Sequence, residues 1–326
     1  MSAVLRVEGL RTHFHTRAGT VKAVDGVSFE LARGEIVGLV GESGSGKTVT
    51  GFSLLGLVDP PGRIIAGSIR LNGTELVGLP EDELRRRRGR EISMIFQDPI
   101  ATLNPMLSVG QQMRLAIGAH ERISARAAEA RCAELLTQVG IPSARARLRA
   151  YPHQFSGGMR QRVAIAIALL HRPLVIVADE PTTALDVSIQ AQILAQMREL
   201  ASETGTAMIW ISHDLAVVSS LATRLLVMYA GRVVEEGPTA AVLRDPRHPY
   251  TQGLIGSLPA TARPGVPLRQ IAGTPPSLLA LPAGCPFAPR CDREAPQCAQ
   301  APELEHHGSR GWRCFRPVGA DAKVGA

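Results

Sequence analysis

Aromatic side chains are scarce in this 326-residue sequence, where seven Phe, three Tyr and two Trp make up only 4% of the chain. Rings interleaved with basic residues, the mark of a single-strand nucleic-acid platform, are therefore missing. No apolar run approaches the ~20 residues that cross a bilayer, so a soluble protein is expected. The start, Met1-Ser2-Ala3-Val4-Leu5-Arg6, has no apolar signal-peptide core, which predicts the cytoplasm. In that compartment the five cysteines are expected as thiols rather than disulfides. No internal repeat or sustained heptad is found, which excludes a long coiled-coil insertion. A net charge of +7 raises nucleic acid or an anionic surface as partners, yet most of the basic residues are scattered. The one dense run, Arg85-Arg86-Arg87-Arg88 with Arg90, reads as a solvated helix end or turn and is assigned no site.

What is present is a hydrophobic fraction of 45%, enough for one large domain with an appendage or for two domains of α/β type. Its organising stretch is Gly41-Glu42-Ser43-Gly44-Ser45-Gly46-Lys47-Thr48, which follows the apolar run Ile36–Val40 and precedes Phe52, Leu54, Leu55 and Leu57. Strand, G-x-x-x-x-G-K-[ST] and helix together form a phosphate-binding loop. Its glycines turn successive N–H groups toward phosphate oxygens, and the helix adds its positive end. Lys47 would reach the β- and γ-phosphates and the Thr48 hydroxyl would ligate Mg²⁺. A Gly/Ser turn that merely matches the pattern is the weaker reading, because the flanking strand and helix are both there. The loop alone does not separate kinase, GTPase, helicase and transport ATPase.

Around it the chain alternates. Val4–Val7 and Val24–Leu31 read as strands, and Gly67–Gly73 ends in an Asn-Gly turn. Between Pro105 and Tyr151 the pattern is helical, with Ala128, Cys132, Leu135, Leu136 and Val139 on one face, so Cys132 reads as core. Buried strands return at Leu174–Ala178, Ala207–Ile211 and Leu225–Met228, which predicts a mainly parallel sheet. After Pro238 the composition shifts, and prolines and glycines between Leu258 and Pro289 leave a loop-rich tail. Domain boundaries are placed at 1–257, with a helical subdomain over about 100–165, and at 258–326.

Leu174–Ala178 ends in Asp179 and Glu180. Solvated acids at a strand tip would be the plain reading, but with a phosphate loop upstream Asp179 can hold Mg²⁺ while Glu180 orients and deprotonates the attacking water. Just before it, Ser156-Gly157-Gly158-Met159-Arg160-Gln161 is a second glycine turn opening a helix. The three motifs in this order resemble the ATP-binding-cassette (ABC) family. That resemblance implies a RecA-like, mainly parallel sheet core, an antiparallel β subdomain and a helical signature subdomain. It also implies that Ser156, Gly157 and Gly158 complete the ATP site of a facing subunit. By the same resemblance Gln97 senses Mg²⁺ and the water and links to membrane subunits. Asp186, in Ala184-Leu185-Asp186, communicates across the dimer, His213 contacts γ-phosphate and Phe14 stacks on adenine.

Gln97-Asp98-Pro99, Leu103-Asn104-Pro105, Tyr151-Pro152-His153, Ala178–Asp186 and Arg247-His248-Pro249-Tyr250-Thr251 narrow the resemblance to ATPases of dipeptide and oligopeptide importers, from about Leu5 to Arg316. Ile100-Ala101 departs from the common pair there, in the region that implies membrane coupling. The resemblance implies a homologous ATPase partner, two transmembrane permeases, an external peptide-binding protein and a position on the cytoplasmic face of the inner membrane, with no nucleic acid. The alternatives weighed are a nucleic-acid-handling cassette with a zinc module, an exporter ATPase, which leaves the cysteine tail unexplained, and an importer of other cargo such as nickel.

Cys285, Cys291, Cys298 and Cys314 form C-x5-C-x6-C-x15-C in a segment with little apolar material of its own. In a reducing compartment such a cluster points to metal. Zinc prefers closer pairs, although His306 and His307 enter the count, whereas iron–sulfur ligation tolerates irregular spacing. Gly284–Cys291 also resembles the tail extension of peptide-importer ATPases, which implies a [4Fe–4S] cluster, with Zn²⁺ as the alternative.

Overall fold

The computed structural model describes residues 3–98, 102–182, 185–259 and 270–319. Pro99, Ile100, Ala101, Thr183 and Ala184, and part of the Pro/Gly-rich stretch, therefore lie outside the described residues.

In chain order, β1 (Ala3–Thr16), β2 (Gly19–Ala32) and β3 (Ile36–Val40) lead to α1 (Lys47–Leu55), β4 (Gly62–Leu71), β5 (Thr74–Glu75), α2 (Glu81–Arg87) and β6 (Ile92–Ile95). A helical stretch follows, with α3 (Val109–Gly118), α4 (Ala125–Gln138), α5 (Ala144–Arg147) and α6 (Gly157–Leu169). Then come β7 (Val175–Asp179), α7 (Val187–Thr204), β8 (Ala207–Ser212), α8 (Leu215–Leu221), β9 (Arg224–Tyr229) and β10 (Arg232–Pro238). The chain closes with α9 (Thr239–Arg244), α10 (Pro249–Gly256), β11 (Glu305–His307) and β12 (Arg310–Trp312).

Two compact units are present. One comprises residues up to Leu5, Leu31–Glu35 and Gly78–Trp210; the other comprises Arg6–Glu30, Ile36–Val77 and the chain from Ile211 onward. In the first, β6 and β7 pair in parallel, with Ile92 opposite Val175 and Ile95 opposite Ala178. Val175 to Ala178 are fully buried, as a strand covered on both faces must be. The helical face seen in the sequence is largely the buried one: Ala128, Cys132, Leu136 and Val139 are inside and Leu135 is half-buried, and Ser124 caps α4 by accepting from the Ala127 N–H. The arginine run ends α2, where Arg87 pairs with Glu91 and Arg88 with Glu81. It is a helix end, held by its own acids.

In the second unit an antiparallel sheet runs in the order β2-β1-β4-β5. Asn72 and Gly73 both take positive φ in the two-residue turn that joins β4 to β5. A second run follows the order β11-β12-β10-β9-β3, parallel between β3 and β9 and antiparallel elsewhere. Thus the tail adds β12 against β10, with β11 outermost, to a sheet whose inner strand β3 leads into the phosphate loop. Among the described residues no helix is long and apolar enough to cross a membrane.

Candidate functional site

In the second unit the buried strand β3 delivers the loop, and α1 starts immediately after it. Gly46, at the N-cap of α1, has φ 102°, and a Cβ there would lie 2.1 Å from the Ala23 carbonyl oxygen. Only glycine satisfies both the angle and the space. No side chain caps α1. Lys47 is buried, and its ammonium donates to the carbonyl oxygens of Gly41 (2.8 Å) and Glu42 (2.9 Å), with Ser45 Oγ at 3.4 Å. Ser43 and Gly44 are exposed at the crest, and Thr48 is half-buried. The loop is anchored from the β9–β10 turn, where Gly231 N–H donates to Ser45 O and accepts from Asp25 N–H through its own carbonyl. Burial pushes the Asp25 carboxyl up, but the hydrogen bonds and charge of Arg232 (2.7 and 3.1 Å) outweigh it and hold Asp25 below the usual aspartate range.

In the first unit the parallel register does the positioning. Because Ile95 lies opposite Ala178, the residues two further on, Gln97 and Glu180, leave the strand ends side by side. Gln97 Nε2 donates to Glu180 Oε2 at 3.1 Å. Asp179 is buried at the last position of β7. Glu180 follows with φ 45°, a left-handed angle that a residue with a Cβ adopts at a cost of about 1–3 kcal/mol. It turns the chain sharply at the carboxyl end of the strand, where α/β sheets bind ligands.

The second glycine turn belongs to this unit too. Ser156 caps α6, its hydroxyl accepting from the Met159 N–H at 3.3 Å. A Cβ on Gly157 would meet nothing within 4 Å, whereas one on Gly158 would touch Ile189 at 3.0 Å. Asp186 caps α7 by accepting from the Ile189 N–H (2.9 Å) and the Ser188 hydroxyl (2.7 Å), and these bonds hold its carboxyl below the usual range.

His213, in the second unit, is exposed at the end of β8, directly before Asp214, which caps α8. Phe14 is half-buried in β1 with its ring against Gly62, where an added Cβ would lie 2.4 Å from the ring.

Cys285, Cys291, Cys298 and Cys314 line one pocket together with Phe287, Pro302 and Phe315. Burial pushes the thiols of Cys285, Cys291 and Cys314 up, the last to about 11. Gly284 lets the chain pass close, since a Cβ there would lie 2.1 Å from the Cys298 carbonyl oxygen. Among the described residues, however, no three His, Cys, Asp or Glu side chains are arranged to hold a metal ion. The donor chemistry suits a thiolate-bound metal, and the arrangement is a shared pocket rather than a coordination shell.

Nothing in the sequence pattern connects this tail with the phosphate loop. Arg290, on the short turn Ala288–Arg290 between Cys285 and Cys291, grips the Glu42 carboxylate with both terminal nitrogens, at 2.7 and 3.0 Å. The Glu42 N–H donates to the hydroxyl of the fully buried Tyr250 at 2.7 Å. A positive residue beside a cysteine and a negative one in the loop are visible in sequence, but nothing there pairs them among 36 Lys and Arg and 29 Asp and Glu.

Comparison with known proteins agrees with these arrangements. Residues 24–183 match the family model "ABC transporter", and residues 234–298 match "Oligopeptide/dipeptide transporter, C-terminal region". The chain is 49% identical over 317 residues to the oligopeptide transport ATP-binding protein OppD of Escherichia coli (strain K12), covering 97% of this chain and 94% of that one. It is 45% identical to the dipeptide transport ATP-binding protein DppD of Haemophilus influenzae, covering 97% and 96%. Among solved structures, the ATP-binding cassette MJ0796 dimer in a post-hydrolysis state with ADP and phosphate superposes with a TM-score of 0.66 at 26% identity, over 72% of this chain and 98% of that one. The cbiO1 protein from Clostridium perfringens gives 0.63 at 27% identity, over 75% and 92%. The chain therefore belongs to the ABC transporter family of ATPases, in the group that carries the oligopeptide/dipeptide transporter C-terminal region.

Proposed function

We propose that this ATPase energises import of di- and oligopeptides, paired with a homologous ATPase beneath two permeases on the cytoplasmic face of the inner membrane and served by an external peptide-binding protein. The observation that carries the chemistry is the Gln97–Glu180 hydrogen bond at adjacent parallel strand ends, directly beside the buried Asp179. The loop amides and Lys47 bind the phosphates of ATP, Phe14 stacks on adenine and His213 contacts the γ-phosphate. Thr48, Asp179 and Gln97 would hold Mg²⁺, which when bound offsets phosphate charge. Glu180 orients the attacking water and accepts its proton.

Support for a facing subunit comes from Gly157. Gly157 is the first residue of α6; it is exposed, and an added Cβ would meet nothing within 4 Å among the described residues, so no described neighbour requires a glycine there. A requirement from outside, namely close approach of another subunit's nucleotide to Ser156, Gly157 and Gly158, accounts for it, with Asp186 at the same boundary. Peptide as cargo is supported by the tail's family match and the relatives' names.

For the tail, four thiols on one pocket suit a thiolate-bound metal, and the irregular spacing of Cys285, Cys291, Cys298 and Cys314 favours a [4Fe–4S] cluster over zinc. Its role is a staple, since a segment poor in apolar surface needs metal–thiolate bonds to offset its chain entropy.

The test is reconstitution in vesicles with the neighbouring permeases, partner ATPase and binding protein. ATP-dependent accumulation of labelled tri- to pentapeptides is expected. Accumulation of nickel and not of peptides would replace the peptide reading.

A further inference from the structure

The phosphate loop contains a difficulty of its own making. Its second residue, Glu42, places a carboxylate in a segment read as receiving a polyanion, and like charges a few ångströms apart repel appreciably when poorly solvated. Arg290 meets that charge with a two-pronged contact, the geometry in which guanidinium and carboxylate bind best. Its side chain is only 4% exposed and that of Glu42 27%, so solvent screens the pair weakly.

The guanidinium is itself fixed. Nε donates to the Ala272 carbonyl at 2.9 Å, Nη1 approaches the Tyr229 hydroxyl at 3.3 Å, and the group lies 5.8 Å from the ring centres of Tyr229 and Phe287. Glu42 is correspondingly held at three points: its carboxylate by Arg290, its N–H by Tyr250 and its carbonyl by Lys47.

We infer that Arg290 is a positioning residue for the phosphate loop, neutralising and immobilising Glu42 so that the loop accepts triphosphate, and thereby tying nucleotide affinity to the cysteine-bearing turn. This rests on the reading of Gly41–Thr48 as the ATP site. Arg290 touches no reacting atom, and its effect passes entirely through Glu42.

The test measures ATP affinity of the full-length chain by displacement of a fluorescent ATP analogue, for R290M, E42Q, the R290M/E42Q double variant and K47A, with thermal midpoints recorded without nucleotide. R290M is expected to weaken ATP binding about tenfold, more at low salt than at high. E42Q should lose less than R290M, and the double variant should recover most of the R290M loss, because the uncompensated charge is gone. A purely structural contact predicts the reverse, with the double variant as weak as R290M or weaker, and that result overturns the inference. So does wild-type affinity in R290M when K47A has lost binding. If K47A binds ATP normally, the loop reading itself fails and the inference falls with it. Should R290M not fold, R290K, which keeps the charge but not the fork, carries the same comparison: a smaller loss rescued by E42Q is expected, and no rescue overturns the inference.

Discussion

Two glycine turns open helices in this protein, α1 after Gly46 and α6 after Ser156, and they differ in what holds them. The first is fixed from within: Gly46 is demanded by its angle and by Ala23, Lys47 is folded onto loop carbonyls, and Glu42 is pinned by Tyr250 and Arg290. The second is exposed, caps itself with Ser156 and contains a glycine, Gly157, that no described neighbour requires. A loop anchored in this way by its own chain is expected to bind its ligand in the isolated subunit. A turn whose first glycine no described neighbour requires fits the proposal that it serves a facing subunit.

The largest effect should come from neither turn but from Glu180. E180Q is expected to leave ATP binding intact and to lower turnover of the assembled ATPase by about 10²–10⁴-fold, since the water loses its base. Steady-state phosphate release checks this, and normal turnover would remove Glu180 from that role.

Glycine substitution sets the two turns directly against each other. G46A should abolish measurable ATP binding by the isolated chain, because backbone must shift to admit the methyl group. G157A should leave the isolated chain's thermal midpoint and ATP affinity unaltered and impair ATPase activity only when the partner subunit is present. Loss of ATP binding in monomeric G157A would erase the distinction.

Replacing Cys291 by Ser is expected to cost less: weaker assembly and a lower thermal midpoint, with Asp179 and Glu180 still able to work. Anaerobically purified wild-type protein should be brown and hold about four irons per chain. One zinc and no colour would change the metal and keep the staple.

The smallest effect concerns the anchor of the first turn. Asp25 is held below the ordinary aspartate range by Arg232, so its pairing stabilises the fold fully above the unfolded value, about 3.9, and is lost as pH falls through the lowered value. Between those limits D25N should flatten the fall of the denaturation midpoint with pH. An unchanged slope would show that Asp25 does not contribute.

Much of this was legible beforehand. The strand–loop–helix at Gly41–Thr48, the strand ending in Asp179 and Glu180, the Asn72-Gly73 turn and the buried face of α4 are local patterns, and each has one conformation that satisfies its backbone and its apolar residues. The Gln97–Glu180 contact was half legible: both residues could be assigned from their motifs, but their adjacency depends on the register of β6 with β7. The run Arg85–Arg88 reads in sequence as a helix end or a turn, and it closes α2, while its pairing with Glu81 and Glu91 depends on how the chain folds. The tail's cysteines announced a module, and only the folded chain put all four on one pocket.

By itself, then, the sequence determined the nucleotide chemistry, because phosphate cradles and strand-end carboxylates are built from contiguous residues whose spacing is their geometry. What only the tertiary structure decided is the contact of the tail with the phosphate loop: Arg290 and Glu42 stand 248 residues apart. Their charges are common in the chain, and only packing around Tyr229, Tyr250 and Phe287 selects that one pair from all those composition permits.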